Sequence, residues 1–179
     1  VPRLVVRTRE VPAIDDLLPY TSPDNPLVWS RRGDGMVGVG ALHTIKTRES
    51  DAAATLSAQW AAIAARAEVD DPVGLAGTGL IAFGALTFDA ASAHSSILIV
   101  PAVVIGRRGG RTWLTTIHDA DATPFWSESD PVAKPYGGHW SGTVGPGAQS
   151  PSGYVAAVRA ALDAIAAGEV AKVVLARDL

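Results

Sequence analysis

The chain has 179 residues, enough for one or two domains and for a core hiding roughly two-thirds of the surface its unfolded form exposes. Hydrophobic residues at 47% and charged residues at 18% exclude a disordered chain, and a net charge of −3 supplies no field for attracting nucleic acid or an anionic membrane. With no cysteine there is no disulfide framework, no thiolate nucleophile and no cysteine-based zinc site.

In chain order, residues 4–6 read as a short strand and 14–18 as a brief helix or turn closed by Pro19. Apolar runs at 27–30 and 36–45 flank Arg31-Arg32-Gly33-Asp34-Gly35, the composition of a hairpin loop. The period then changes to about 3.6, because Leu56, Trp60 and Ile63 fall on one side of an alanine-rich helix. Ser50 is the expected N-cap, Asp51 suits the positive end of the dipole, and Pro72 and Gly74 are the expected terminators.

Residues 80–88 and 97–105 are strand-like, with Pro101 implying an edge or bulge. Residues 112–117 pair with the second run across 106–111, which puts Arg107, Arg108 and Arg111 at a solvated hairpin tip. Residues 118–149 show little periodicity and read as a long irregular connection. A last helix comes next, capped by Ser150 with Pro151 at its first position, carrying Val155, Val158, Leu162 and Ile165 on one face and stopped by Gly168. Residues 172–177 then read as a strand.

Gly33-Asp34-Gly35-Met36-Val37-Gly38 has dinucleotide-fingerprint spacing, but that motif needs a helix after its glycines and 36–42 reads as extended, so a hairpin is expected. His43, His94, His118 and His139 have no metal-site spacing and suit surface or packing roles. Trp113 lies inside a strand pattern and suits the core, whereas Trp126 and Trp140 stay open between packing and a ligand platform. No segment reaches the ~18 apolar residues of a spanning helix, and the start lacks a signal pattern, so no membrane partner and a cytoplasmic location are expected.

Lys172 on a strand shares a face with Val174 and Ala176. An ammonium among small apolar neighbours loses hydration, which lowers its pKa and lets it serve as a base near neutral pH. The same residues, taken alone, also suit a lysine at a strand start reaching into solvent.

The segment Tyr154, Val158, Ile165, Gly168, Glu169, then Lys172-Val173-Val174-Leu175-Ala176-Arg177, resembles the chorismate-utilising enzymes, most closely isochorismate synthases. Phe83-Gly84 to Phe88-Asp89 and Gly110-Arg111-Thr112-Trp113-Leu114 are similar to upstream segments of that family. The resemblance implies an α+β fold of two stacked antiparallel β-sheets with outer helices, of which residues 1–179 form the amino-terminal portion of a single domain whose carboxy-terminal portion is absent. It implies chorismate as substrate, Lys172 as the catalytic base that activates water for attack at C2, and Mg²⁺ held by carboxylates in the absent portion. These 179 residues alone are therefore expected to be inactive. Salicylate synthases share the lysine and remain an alternative, as does a non-catalytic β-rich binding or assembly domain completed by the last strand.

Overall fold

The protein is described by a computed structural model covering residues 1–89, 91–122, 132–133, 142–145 and 147–178. It divides into two units, Val1–Tyr136 and Gly137–Leu179.

The first unit is built on two sheets. Strand β1 (Leu4–Val11) alternates buried and exposed residues and pairs antiparallel with β9 (Arg111–Asp119) along its whole length. It runs past the three residues expected: Leu4, Val6 and Thr8 bury one face, and Val11, on the opposite face, is buried in a second cluster. A 3₁₀ turn, Leu18–Tyr20, incorporates Pro19 rather than stopping before it.

Strands β2 (Leu27–Arg31) and β3 (Asp34–Val39) form the expected hairpin, tightened to a two-residue turn in which Arg31 faces Asp34. Both turn residues have positive φ, 53° at Arg32 and 88° at Gly33, as a type I′ turn demands. Arginine there costs about 1 kcal/mol relative to glycine, since its Cβ crowds the carbonyl in the left-handed region. The glycine-rich segment thus enters a strand, and the dinucleotide alternative lacks its helix. Strands β8 (Val103–Arg108) and β9 close over Gly109 and Gly110 in the same way.

The second sheet contains β4 (His43–Thr47), β6 (Phe83–Ala85) and β7 (Ser96–Val100) in the order β4-β7-β6. The apolar run at 97–105 is divided at Pro101, whose missing N–H ends a ladder. Its first half joins this sheet through β7 and its second half joins the larger sheet through β8. The strand facing it breaks at the same level, where Gly40 takes φ 75° and a Cβ would sit 3.4 Å from that of Ala102. The N–H of Ala102 donates to Val39 at 3.0 Å and that of Leu42 to Val100 at 2.9 Å, so both chains cross between sheets without losing these bonds.

Helix α1 (Ala52–Ala64) starts one residue later than expected, with Asp51 as the cap accepting from the Ala54 N–H at 3.0 Å. It also ends well before Pro72. Tight turns from Arg66 to Ile63 and from Ala67 to Ala64 unwind it, and Glu68–Asp70 becomes β5, parallel to β1. The open edge of β1 and the ion pair of Arg7 with Glu68 at 2.7 Å outweigh the helical propensity of that stretch. The larger sheet therefore has the order β2-β3-β8-β9-β1-β5 and is mixed rather than wholly antiparallel.

One core cluster joins Leu4, Val6 and Ile117 of the larger sheet to Ile45 and Val100 of the smaller and to Leu56 and Ile63 of α1, with Trp60 packed against it. The expected helix face is the one that is buried. A second cluster holds Val11, Leu17, Val37, Val103, Ile105 and Leu114. Among the described residues, two sheets and two α-helices make this an α+β protein.

The second unit is built around α2 (Pro151–Ala166). Ser150 caps this helix, accepting from the Gly153 N–H at 3.1 Å. Gly168, at φ 73°, stops it, with the Gly168 N–H donating to Ile165 and the Glu169 N–H to Ala164, the paired bonds of a Schellman end. The strand expected at 172–177 is not formed: these residues belong to no ladder among the described residues. A strand is defined by its neighbours, and none is supplied here.

Candidate functional site

Lys172 lies four residues past Gly168 in this unpaired stretch and is exposed. Its expected companions are exposed as well, Val174 at 90%. The apolar enclosure that would strip water from the ammonium is therefore not provided by the described residues. Of the rest of the motif, Tyr154 and Val158 are half-buried, while Val155, Leu162 and Ile165 on the apolar stripe of α2 are exposed and the helix buries no residue completely.

The stretch is nevertheless anchored at its far end. The Asp178 carboxylate accepts the Ala148 N–H at 2.8 Å, and the Gly147 N–H donates to the Asp178 carbonyl at 3.3 Å. The Ala148 N–H first, then the backbone N–H groups of Asp178 itself and Gln149, hold the Asp178 carboxyl below the usual aspartate range. Residues 172–178 thus form a loop that leaves the end of α2 and returns to the residues just ahead of its cap.

The upstream segments of resemblance lie in the first unit. Phe83 and Gly84 are in β6, and Asp89 comes after them in a turn where its carboxylate accepts the Ala91 N–H at 2.8 Å. Trp113 in β9 is buried, as its strand pattern implied. Gly106 faces it in the ladder, and a Cβ there would overlap the indole, so the ring occupies the space that glycine leaves.

His43 is in β4, His94 in a loop and His118 in β9, and among the described residues no three acidic or histidine side chains converge where a metal could be held. The described residues by themselves do not make a Mg²⁺ site. His139, Trp126 and Trp140 lie outside the described residues.

The arginines at the β8–β9 tip are not simply solvated. Arg107 donates to the carbonyls of Gly33 at 2.8 Å, Ile14 at 2.8 Å and Asp15, tying three segments together. Arg111 and Glu10 form a two-point ion pair at 2.9 and 3.1 Å, and the guanidinium lowers the Glu10 pKa.

Among the cavities of the first unit are two with different chemistry. One, of about 450 Å³, is an apolar groove lined by Leu27 and Trp29 of β2, Met36, Phe83 and the β7 residues Ile97 and Ile99. The other, of about 190 Å³, is lined by Trp29, Arg31, Arg32, Arg107, Arg108 and Trp113. Sequence reasoning missed the second. Its signal lies in the alternation of β2, which places Trp29 and Arg31 on one strand face, and in the register that sets Met36 opposite both Trp29 and Gly106.

A mixed α+β chain with a lysine directly behind a Gly-Glu helix end calls for comparison with known enzymes. The sequence model of the chorismate binding enzyme family matches residues 2–179, nearly the whole chain, and the chain belongs to that family. Comparison with curated proteins and with solved structures gave no match. Chorismate is accordingly the small molecule that family membership assigns to it.

Proposed function

We propose that the chain is the amino-terminal segment of an isochorismate synthase, in which water adds at C2 of chorismate as the C4 hydroxyl leaves. The observation that carries this is Lys172 heading Lys-Val-Val-Leu-Ala-Arg behind the Gly168 stop, in a chain of the chorismate binding family. In this reading the neutral Lys172 amine takes a proton from water, the water oxygen bonds to C2, both ring double bonds shift by one position (C1=C2 to C6=C1 and C5=C6 to C4=C5) and the C4–O bond breaks. The departing hydroxyl takes its proton from a glutamate outside residues 1–179, and Mg²⁺ is held by carboxylates there too.

Two features support the view that further chain completes the site. The apolar stripe of α2 is uncovered among the described residues, with Leu162 at 59% exposure, and residues 172–178 have no ladder neighbour. A self-sufficient binding module would supply those neighbours itself. Added strands beside Lys172 would exclude water, which disfavours the charged ammonium and makes the neutral amine available as a base. The stacking of the two sheets, a cytoplasmic location and a role in menaquinone or siderophore biosynthesis belong to the same proposal.

The test is product analysis with chorismate and Mg²⁺ on a longer protein containing these residues. Isochorismate as the sole product is expected. Salicylate with pyruvate would replace this reading by a salicylate synthase, and no consumption of chorismate would overturn both.

A further inference from the structure

The sheet edges of the first unit differ in what they leave open. Strand β5 closes one side of the larger sheet with three residues that include Glu68 and Asp70, and β6 is equally short. Strand β4 is longer, but its fully exposed side chains, Thr44 and Lys46, are polar. Strand β2 has neither protection: it is the other outermost strand of the larger sheet, with Val28 40% and Trp29 46% exposed. In a two-residue hairpin the closing pair, Arg31 with Asp34, exchanges hydrogen bonds, and so does Trp29 with Met36 farther along. The N–H and C=O groups of Val28 and Ser30 therefore point away from β3, and they have no partner among the described residues.

Charge along the same edge complements itself. Arg31 and Arg32 stand at the hairpin end and Asp24 stands just ahead of the strand, with the apolar Leu27, Val28 and Trp29 between them. All three charged residues are exposed, and none has a hydrogen-bond or ion-pair partner among the described residues. An identical strand laid alongside in the parallel sense would set like charges together, whereas the antiparallel sense sets the basic end of each against the acidic end of the other.

We propose that β2 is a self-association edge, to which a second copy of this chain adds its own β2 antiparallel about a two-fold axis at Trp29. Val28 of each copy then faces Ser30 of the other, and their outward backbone groups complete a ladder. The two Trp29 residues form the intervening pair without hydrogen bonds, the kind in which cross-strand side chains come closest. Arg31 faces Leu27 of the copy rather than its own counterpart, and the hairpin end comes beside the copy's Asp24. Trp29 also lines the apolar groove of about 450 Å³ with Leu27, Met36 and Phe83, so the second indole lies at the groove's mouth and adds apolar contact to the strand pairing. The edge lies wholly in the first unit, and its pairing does not depend on the chemistry assigned to Lys172.

The test is sedimentation of the 179-residue chain, and of a longer protein containing it, over a range of concentrations, with cysteine crosslinking to fix the register. Both proteins should show a reversible monomer–dimer equilibrium. Trp29→Lys, which sets two ammonium groups face to face from an exposed position, should weaken it about tenfold or more and leave the circular dichroism spectrum unchanged. Since the chain has no cysteine, Trp29→Cys should give a disulfide-linked dimer on oxidation, about tenfold or more faster than Val28→Cys, which is off the axis, or Phe88→Cys, a fully exposed control. Monomers at every concentration, a dimer indifferent to Trp29→Lys, or crosslinking as fast at Val28 or Phe88 as at Trp29 would overturn the proposal. A dimeric 179-residue chain beside a monomeric longer protein would overturn it too, because a strand of the longer protein would then hold this edge.

Discussion

The two units differ in where their specificity resides. In the first, Val1–Tyr136, the strands are paired, apolar side chains meet in two closed clusters and Trp113 fills the volume over Gly106. In the second, Gly137–Leu179, α2 is well capped at both ends yet buries no residue completely, and the stretch after it has no ladder. The part that carries the sharpest sequence motif is the part least enclosed by its own residues. Caps and a glycine stop are local devices that need only a few neighbouring residues, whereas a strand and a dehydrated lysine need material from elsewhere.

The comparison can be broken most directly at Lys172. In a protein that turns over chorismate, Lys172→Ala should reduce kcat by about 10²- to 10⁴-fold, the range for loss of a general base, with the circular dichroism spectrum unchanged. Retained turnover would detach the motif from catalysis.

The next largest effect belongs to the first unit. Trp113→Ala should destabilise the 179-residue chain by roughly 3–5 kcal/mol in urea unfolding, because a fully buried indole leaves a cavity. Gly106→Ala should cost about 1–3 kcal/mol by pushing a methyl into the same ring. A neutral result for both would mean that the ring does not fill the space over Gly106.

The same measurement sharpens the contrast in α2. Leu162→Glu should shift stability of this chain by less than about 0.5 kcal/mol, as for an exposed site, yet cost about 2 kcal/mol or more in a longer protein that covers the stripe. Equal small effects in both would remove the reason for expecting a cover.

The smallest effect is one of pH. Because the folded-state Asp178 pKa lies below its ordinary value, its bond to Ala148 contributes fully above the ordinary aspartate range and is lost as pH falls through the lowered pKa. Amide exchange at Ala148, corrected for its intrinsic pH dependence, should lose protection on acidification, and Asp178→Asn should show less of that change.

Much of the first unit was legible in the sequence for local reasons. Arg32-Gly33 and Gly109-Gly110 announce their turns, and Leu56, Trp60 and Ile63 mark the helix face that is buried; in the second unit, Ser150 with Gly168 bounds α2 just as locally. What escaped depends on distant partners. Strand β5, three exposed residues long, exists because the edge of β1 is open and Arg7 meets Glu68, neither of which residues 68–70 reveal. The division at Pro101 was half legible: proline marked an interruption, but only the matching break at Gly40 shows that the chain changes sheets there. The family was legible from the Lys172 motif, whereas the surroundings of that lysine were not, since alternation assigns a side to a residue without providing the strand that would cover it.

The paired crossover at Gly40 and Pro101 carries an extra residue on one side. Val39 faces Val103 and His43 faces Val100, so residues 40–42 stand opposite only Pro101 and Ala102 and the alignment steps by one residue at the crossover, a bulge at which the pairing passes from one sheet to the other. A one-residue deletion in 40–42 would remove the extra residue and leave both pairings formally aligned, so the length of this segment governs the bend between the sheets rather than the register within either.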